Sequence, residues 1–160
     1  MVATTSKTKT KRAMKYEYRA VYLTLAGKNL DPEKISKMLD IAPDSRGKLG
    51  ELCGRSRKRK QGYWTLEGGP PSRQIETQMK HISNRIDPVK QKLRNLIKED
   101  RTIERAYVTI ALEPPKGIAN ACYCFGAELI NRFTSIGVDI ALSIYMVEEL
   151  ERVVGNKGQN

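Results

Sequence analysis

Apolar and polar positions first alternate between Tyr16 and Leu25, where Val21, Leu23 and Leu25 fall on one side and Tyr16, Tyr18, Ala20, Tyr22 and Thr24 on the other. A period of two predicts a strand with one buried face. In Asn29-Leu30-Asp31-Pro32-Glu33, Asp31 suits a helix N-cap, and Pro32 suits the first helical position because its missing donor costs nothing there. A helix is therefore expected to run to about Asp40, with Ile35, Met38 and Leu39 on one side and Pro43 stopping the pattern. Residues 44–61 contain glycine, serine and basic side chains with almost no apolar content, which predicts an exposed loop. Gly62 to Leu66 reads as the next strand, ended by Gly68-Gly69-Pro70-Pro71-Ser72. Ile75, Met79, Ile82, Ile86, Val89, Leu93 and Leu96 then recur every three or four residues, the stripe of a long helical region. Pro88 interrupts that region, so either a kink or a second helix beginning at Asp87-Pro88 is expected. Tyr107 to Leu112 predicts a strand, Ala127 to Ile136 a helix closed by Gly137, and Asp139 to Met146 a strand. Ile118 to Phe125 is read as a further short strand.

The faces of these strands agree with one another. Trp64 and Leu66 oppose Tyr63 and Thr65; Val108, Ile110 and Leu112 oppose Tyr107, Thr109 and Ala111; Ile140, Leu142, Ile144 and Met146 oppose Ala141, Ser143 and Tyr145. One aliphatic face and one face of Tyr, Thr, Ser and Ala are expected when helices cover a single side of a sheet. The fold class that follows is α+β: an open-faced two-layer sandwich, an antiparallel or mixed sheet of four to five strands with helices on one face. Its uncovered face would display Tyr18, Tyr22, Tyr63, Tyr107 and Tyr145. One domain is expected over residues 16–150, with a basic tail over 1–15, a basic loop over 44–61 and a flexible tail over 151–160.

The stretch Leu30-Asp31-Pro32-Glu33-Lys34-Ile35 through Ile41-Ala42-Pro43 and Gly47, then Gly62-Tyr63-Trp64-Thr65-Leu66 and the long helical region, resembles a group of small bacterial proteins known as a domain of unknown function, number four-two-seven-nine. The likeness covers residues 16–147 in the order of elements. It implies no defined catalytic residues, and for some members an immunity or phage-linked role. The basic insertion at Arg55 to Lys60 and the Lys-rich amino-terminal tail depart from the family pattern, which places any special property of this chain there.

Charge sharpens that point. The 160 residues carry 29 Lys and Arg against 18 Asp and Glu, a net +11. Residues 1–15 hold five basic side chains and no acid, and residues 46–60 hold seven against Glu51 alone. The remaining 130 residues carry 17 of each sign, so the whole excess sits in two short segments. Uncharged apolar runs such as Ala106 to Leu112 are far below the ~20 residues of a membrane-spanning helix, and no secretory leader is evident, so a cytoplasmic protein is expected. Three cysteines, two of them at 122 and 124, fit reduced and buried thiols better than a disulfide framework.

Arg55, Arg57, Lys58, Arg59 and Lys60, with Arg46 and Lys48, are the candidate phosphate contacts, because neutralising backbone phosphates releases condensed counterions. The cluster precedes the strand bearing Tyr63. Tyr63, Tyr18, Tyr22 and Tyr107 are accordingly candidate stacking residues for unpaired bases, with Lys11 and Arg12 of the tail adding an arm. Lys90, Arg94, Lys98, Arg101 and Arg105 would form a second basic stripe if one helix carried them all. Signatures of catalysis are missing: His81 is the lone histidine, Cys122 and Cys124 lack zinc spacing, and Gly47-Lys48-Leu49-Gly50 has the spacing of a KH-domain loop without its flanking helices. The expectation is a non-enzymatic basic module without cofactor that contacts nucleic acid, RNA or a single strand. The alternative is a protein-interaction module, an immunity-like or adaptor subunit, binding an acidic protein partner. The oligomeric state is left open.

Overall fold

A computed structural model describes residues 18–54, 56–70, 74–113 and 124–144. The first strand, β1 (Tyr18–Gly27), is the middle of a five-stranded sheet. It pairs antiparallel with β5 (Gly62–Glu67) on one side and with β6 (Arg105–Glu113) on the other. β2 (Ser45–Gly47) lies antiparallel along the outside of β5. β7 (Asp139–Ile144) lies parallel to β6, so the sheet is mixed and ordered β2-β5-β1-β6-β7. The alternation read from the sequence sets the two faces: Val21, Leu23, Leu25, Trp64, Leu66, Val108, Ile110 and Leu112 are all buried under helices.

Those helices are α1 (Pro32–Leu39), α2 (Ile75–Ile86), α3 (Lys90–Glu99) and α4 (Ala127–Thr134). Asp31 caps α1 as expected, accepting from Glu33 N–H at 3.2 Å. The Ser36 hydroxyl of α1 accepts from the indole N–H of Trp64 at 3.1 Å, so the one polar atom of a fully buried tryptophan is satisfied by the helix that covers it. A turn of 3₁₀ helix, Asp87–Val89, separates α2 from α3, so the second of the two outcomes expected at Pro88 is the one found. The stripe from Ile75 to Leu96 is buried except at half-buried Val89, and it packs on the aliphatic sheet face.

Gln78 breaks that stripe and is itself fully buried. Beyond Glu67 the chain of β5 turns away: Gly68 N–H donates to Val21 C=O at 2.8 Å, and nothing further of β5 pairs with β1. There the Gln78 side chain takes the place of a strand. Its Oε1 accepts from Val21 N–H at 3.0 Å, and its Nε2 donates to Arg19 C=O at 3.0 Å. The approach needs a glycine at 68, where an added Cβ would stand 2.5 Å from the Cβ of Gln78.

Several expectations are corrected. The loop expected over residues 44–61 contains three short strands, because backbone pairing rather than apolar side chains holds it. β2 pairs with β5, and β3 (Leu52–Cys53) and β4 (Arg57–Lys58) form a separate hairpin. Met38 does not join Ile35 and Leu39 in the core; it is 48% exposed at a groove between α1 and α3. Leu142 and Ile144 are 51% and 52% exposed, on a strand, β7, that ends the sheet. The second basic stripe does not form: α3 ends at Glu99, Arg101 sits in the following turn and Arg105 begins β6. Cys124 is exposed, not buried. The strand expected over Ile118 to Phe125 lies outside the described residues except for Cys124 and Phe125, which are in neither helix nor strand. The tails over 1–15 and 151–160, and Tyr145, also lie outside them. No helix among the described residues is long and apolar enough to cross a membrane.

Replacing Gln78 with Leu keeps the volume but strips two buried backbone groups of their partners, so a loss of about 2 to 5 kcal/mol in urea unfolding is expected, with Gln78→Glu also destabilising because the donor to Arg19 is lost. Asp100, which accepts from the Lys34 ammonium at 2.8 Å and from the Thr102 hydroxyl and N–H at 2.6 and 2.9 Å, is held down from the usual 3.8 to about 2. Its contribution is therefore complete above pH 3.8 and lost as pH falls through about 2. Unfolding followed across that range should show wild type and Asp100→Asn converging in stability as acid is added; a gap constant from pH 6 to pH 2 would contradict this.

Candidate functional site

The hairpin of β3 and β4 turns through Gly54, whose φ of +75° favours glycine. It is anchored to its base by Arg59 N–H donating to Glu51 C=O at 2.8 Å and by Gly50 N–H donating to Arg59 C=O at 3.0 Å. With the open face of the sheet it encloses a concave site of about 610 Å³. Arg57, Lys58, Arg59 and Lys60 line it on the hairpin side, together with Cys53 and Gln61, and Tyr63, Thr65, Thr24 and Tyr107 line it on the sheet side. Among the described residues that line it, four are Lys or Arg and none is Asp or Glu. Three adjacent strands supply its floor, because the register sets Thr65 opposite Thr24 and Thr24 opposite Tyr107. The two threonine hydroxyls are hydrogen-bonded to each other at 3.0 Å.

Arg59 and Tyr63 form the junction between hairpin and sheet. The Arg59 guanidinium carbon sits 4.7 Å from the centroid of the Tyr63 ring, a cation–π arrangement, while the phenol oxygen of Tyr63 lies 3.2 Å from the Ser45 hydroxyl of β2. Both side chains crowd Gly47: a Cβ there would lie 2.6 Å from the Tyr63 ring and 2.7 Å from Arg59 Nε. That Nε is shielded from solvent and has no hydrogen-bond partner among the described residues. That N–H is held at Gly47 beside the Tyr63 ring, so attraction for an anion in the cavity comes from the basic side chains that line it, three of them, Arg57, Lys58 and Lys60, exposed. Tyr63 therefore does not offer a bare ring for stacking, because one of its faces already carries Arg59.

The structure divides the sequence-predicted residues into three groups. Arg57, Lys58, Arg59, Lys60, Tyr63 and Tyr107 come together at the cavity, and Tyr22 shares their sheet face one row away, opposite Glu67 and Thr109. Arg46 and Lys48 do not join them. Arg46 is opposite Trp64 and so points to the helix side of the sheet, where it lies 3.9 Å from Glu33 of α1. The Lys48 ammonium is 2.7 Å from Glu33 and 3.3 Å from Asp31, and the hydrogen bonds to these two carboxylates raise its pKa above the ordinary value. These two cations are spent on the start of α1. Lys11, Arg12 and Arg55 lie outside the described residues, and Tyr18 enters only through its backbone register opposite Glu113.

Sequence reasoning missed Gln61, Thr24 and Thr65 as site residues. Gln61 accepts from Arg105 at 2.9 Å at the edge of the cavity. Only strand register brings Thr24 and Thr65 beneath a hairpin more than 25 positions away from Thr24 along the chain, and no local signal marks them. His81 is exposed on α2, away from the cavity. No group of three or more His, Cys, Asp or Glu side chains among the described residues is arranged to hold a metal ion.

The family model for a domain of unknown function (DUF4279) matches residues 15–147. The chain belongs to this family. The match takes in every strand and helix described above, the basic hairpin included, and leaves Lys11 and Arg12 outside it. No curated protein and no solved structure matches the chain. Membership in DUF4279 thus shows the family without supplying a reaction, and nothing in the family description points to catalysis.

The Arg59 and Tyr63 junction depends on the missing side chain at 47. Gly47→Ala should displace one of the two aromatic and guanidinium groups and destabilise the protein by about 1 to 3 kcal/mol in urea unfolding, whereas Gly50→Ala, with open space around its Cβ, should cost only its backbone strain.

Proposed function

We propose that this protein is a non-enzymatic module that binds single-stranded nucleic acid in the cavity between the basic hairpin and the tyrosine-bearing sheet face. One observation carries the reading: four consecutive basic residues, Arg57 to Lys60, line a cavity whose floor is tyrosine and threonine, with no Asp or Glu among the described residues that line it. Such a site suits a ligand that is anionic on one side and planar and hydrogen-bonding on the other. Phosphates meet the hairpin, and bases or ribose meet Tyr107, Gln61 and the threonine hydroxyls. An acidic protein surface would satisfy the cations equally well. It would not use a recessed floor, and a volume of about 610 Å³ falls within the ~300 to 1,000 Å³ typical of small-ligand pockets, which favours a nucleotide unit over a protein surface.

The test is fluorescence anisotropy with a labelled ten-nucleotide RNA. Two to four phosphate contacts at ~0.7 each give a slope of log affinity against log salt between about −1.4 and −2.8, so raising salt from 50 to 200 mM should weaken binding roughly 7- to 50-fold. Changing Arg57, Lys58, Arg59 and Lys60 together to Gln should abolish most of the binding and flatten the slope, while Arg46→Gln with Lys48→Gln leaves both nearly unchanged. Salt-independent binding, or binding that survives the fourfold change, would overturn the reading. Capture of an acidic protein without RNA would turn it toward the protein-interaction alternative.

A further inference from the structure

The charge of the open face is not uniform, and its distribution limits how a polyanion can lie there. The row of residues that forms the cavity floor crosses all five strands in register: Ser45, Thr65, Thr24, Tyr107 and Asp139. Asp139 therefore stands beside Tyr107, immediately past the cavity on β7. In the next row, on the Tyr22 side, Glu67 is opposite Tyr22, and beyond it Glu113 is opposite Tyr18. Both Asp139 and Glu67 are exposed. Among the described strand residues of this face the one cation is Arg105, which sits at the cavity end of β6, opposite Ala26 and bonded to Gln61. A nucleic-acid strand continuing from the cavity, either across toward β7 or along toward Tyr22, would carry its next phosphate onto a carboxylate. Like charges brought together in this way are a specific penalty against that path.

The cavity itself has the opposite character. Arg57, Lys58, Arg59 and Lys60 all line one cavity, and no Asp or Glu is among the described residues that line it. A phosphodiester inside a strand brings a single charge per nucleotide, whereas a terminal phosphate brings about −1.5 to −2 and three strong acceptor oxygens. Building on the single-strand reading above, we infer that the cavity takes a nucleotide through a terminal phosphate rather than the interior of a strand. The hairpin cations hold that phosphate, while Tyr107, Thr24 and Thr65 meet the base and sugar. The same chemistry is presented by a free nucleoside monophosphate and by the phosphorylated end of an RNA.

The experiment uses the full chain and three ten-nucleotide RNAs of one sequence, bearing a 5′-phosphate, a 3′-phosphate or hydroxyls at both ends, each labelled internally. At least one phosphorylated form should bind tenfold or more tighter than the hydroxyl form. Adenosine monophosphate competing at a concentration similar to that of the phosphorylated RNA would make the free nucleotide the source, and failure to compete would make it the strand end; either outcome supports the inference. Equal affinity of all three RNAs overturns it while leaving single-strand binding intact, and absence of binding by all three and by adenosine monophosphate overturns both. In the Asp139→Asn, Glu67→Gln variant, which keeps the hairpin cations, the hydroxyl RNA should gain affinity and the ratio should narrow. An unchanged ratio would also count against the inference, because it would remove the carboxylates as the source of discrimination.

Discussion

The carboxamide of Gln78 does the work of a missing strand. β1 is the centre of the sheet and must be hydrogen-bonded along both edges, yet β5 leaves it at Gly68, with the backbone of Arg19 and Val21 still to be paired. A helix side chain that both donates and accepts can stand in for a peptide group, and glutamine has that pair of atoms at the right separation. The requirement ties α2 to one position against β1. Everything else in the helix layer follows from that anchorage: Met79, Ile82 and Ile86 are pressed onto the aliphatic sheet face, and the Asp87 and Pro88 turn delivers α3 alongside α1. Arg85 of α2 adds a second tie, holding Asp44 and the Ala42 carbonyl, while Asp44 accepts from Glu67 N–H at 2.8 Å. With the four described helices committed to one side, the hairpin lies at the other side of the sheet.

Charge is sorted by the same geometry. In the sequence Arg46 and Lys48 belong to the same basic segment as the cluster that follows them, and by composition they are equivalent. The alternation of β2 sends Arg46 toward α1, Lys48 just past the strand pairs with Glu33 and Asp31 there too, and the hairpin brings the later four basic residues to the opposite face. A strand three residues long thus separates structural cations from available ones. Gly47 is the pivot, since a side chain there would occupy the space in which Arg59 lies against Tyr63. The cation–π contact changes the role of Tyr63 from a stacking surface to a mount that holds Arg59 at the cavity.

The fold was legible because its signals are local or strictly periodic. Asp31-Pro32 starts a helix by satisfying and omitting the right donors, Pro88 marks the 3₁₀ turn between α2 and α3 without a side-chain cap from Asp87, and the period-two strands separate Val, Leu and Ile from Tyr, Thr and Ala wherever they occur. Tyr22, Tyr63 and Tyr107 do share the sheet face away from the described helices, all half-buried there, while Ala20, Thr24, Thr65 and Ala111 of that face are buried. Legibility failed where pairing rests on backbone alone. β2, β3 and β4 have two or three residues each and no apolar pattern, so residues 44–61 read as loop. It failed again at the sheet edge, where Leu142 and Ile144 have the pattern of buried residues but are half exposed.

By itself the sequence determined the two-layer α+β class, the identity of the core-facing residues in the central strands, and the concentration of excess charge in two segments. These depend on spacing and composition, which are properties of the chain. The tertiary structure decided which cations share a cavity, that Thr24 and Thr65 form its floor, that Arg59 covers Tyr63, and that Asp139 and Glu67 bound the site. Each of those is a consequence of strand register and of which face a residue falls on after pairing. A shift of one residue would reverse every one of them, and no local stretch of sequence carries that information.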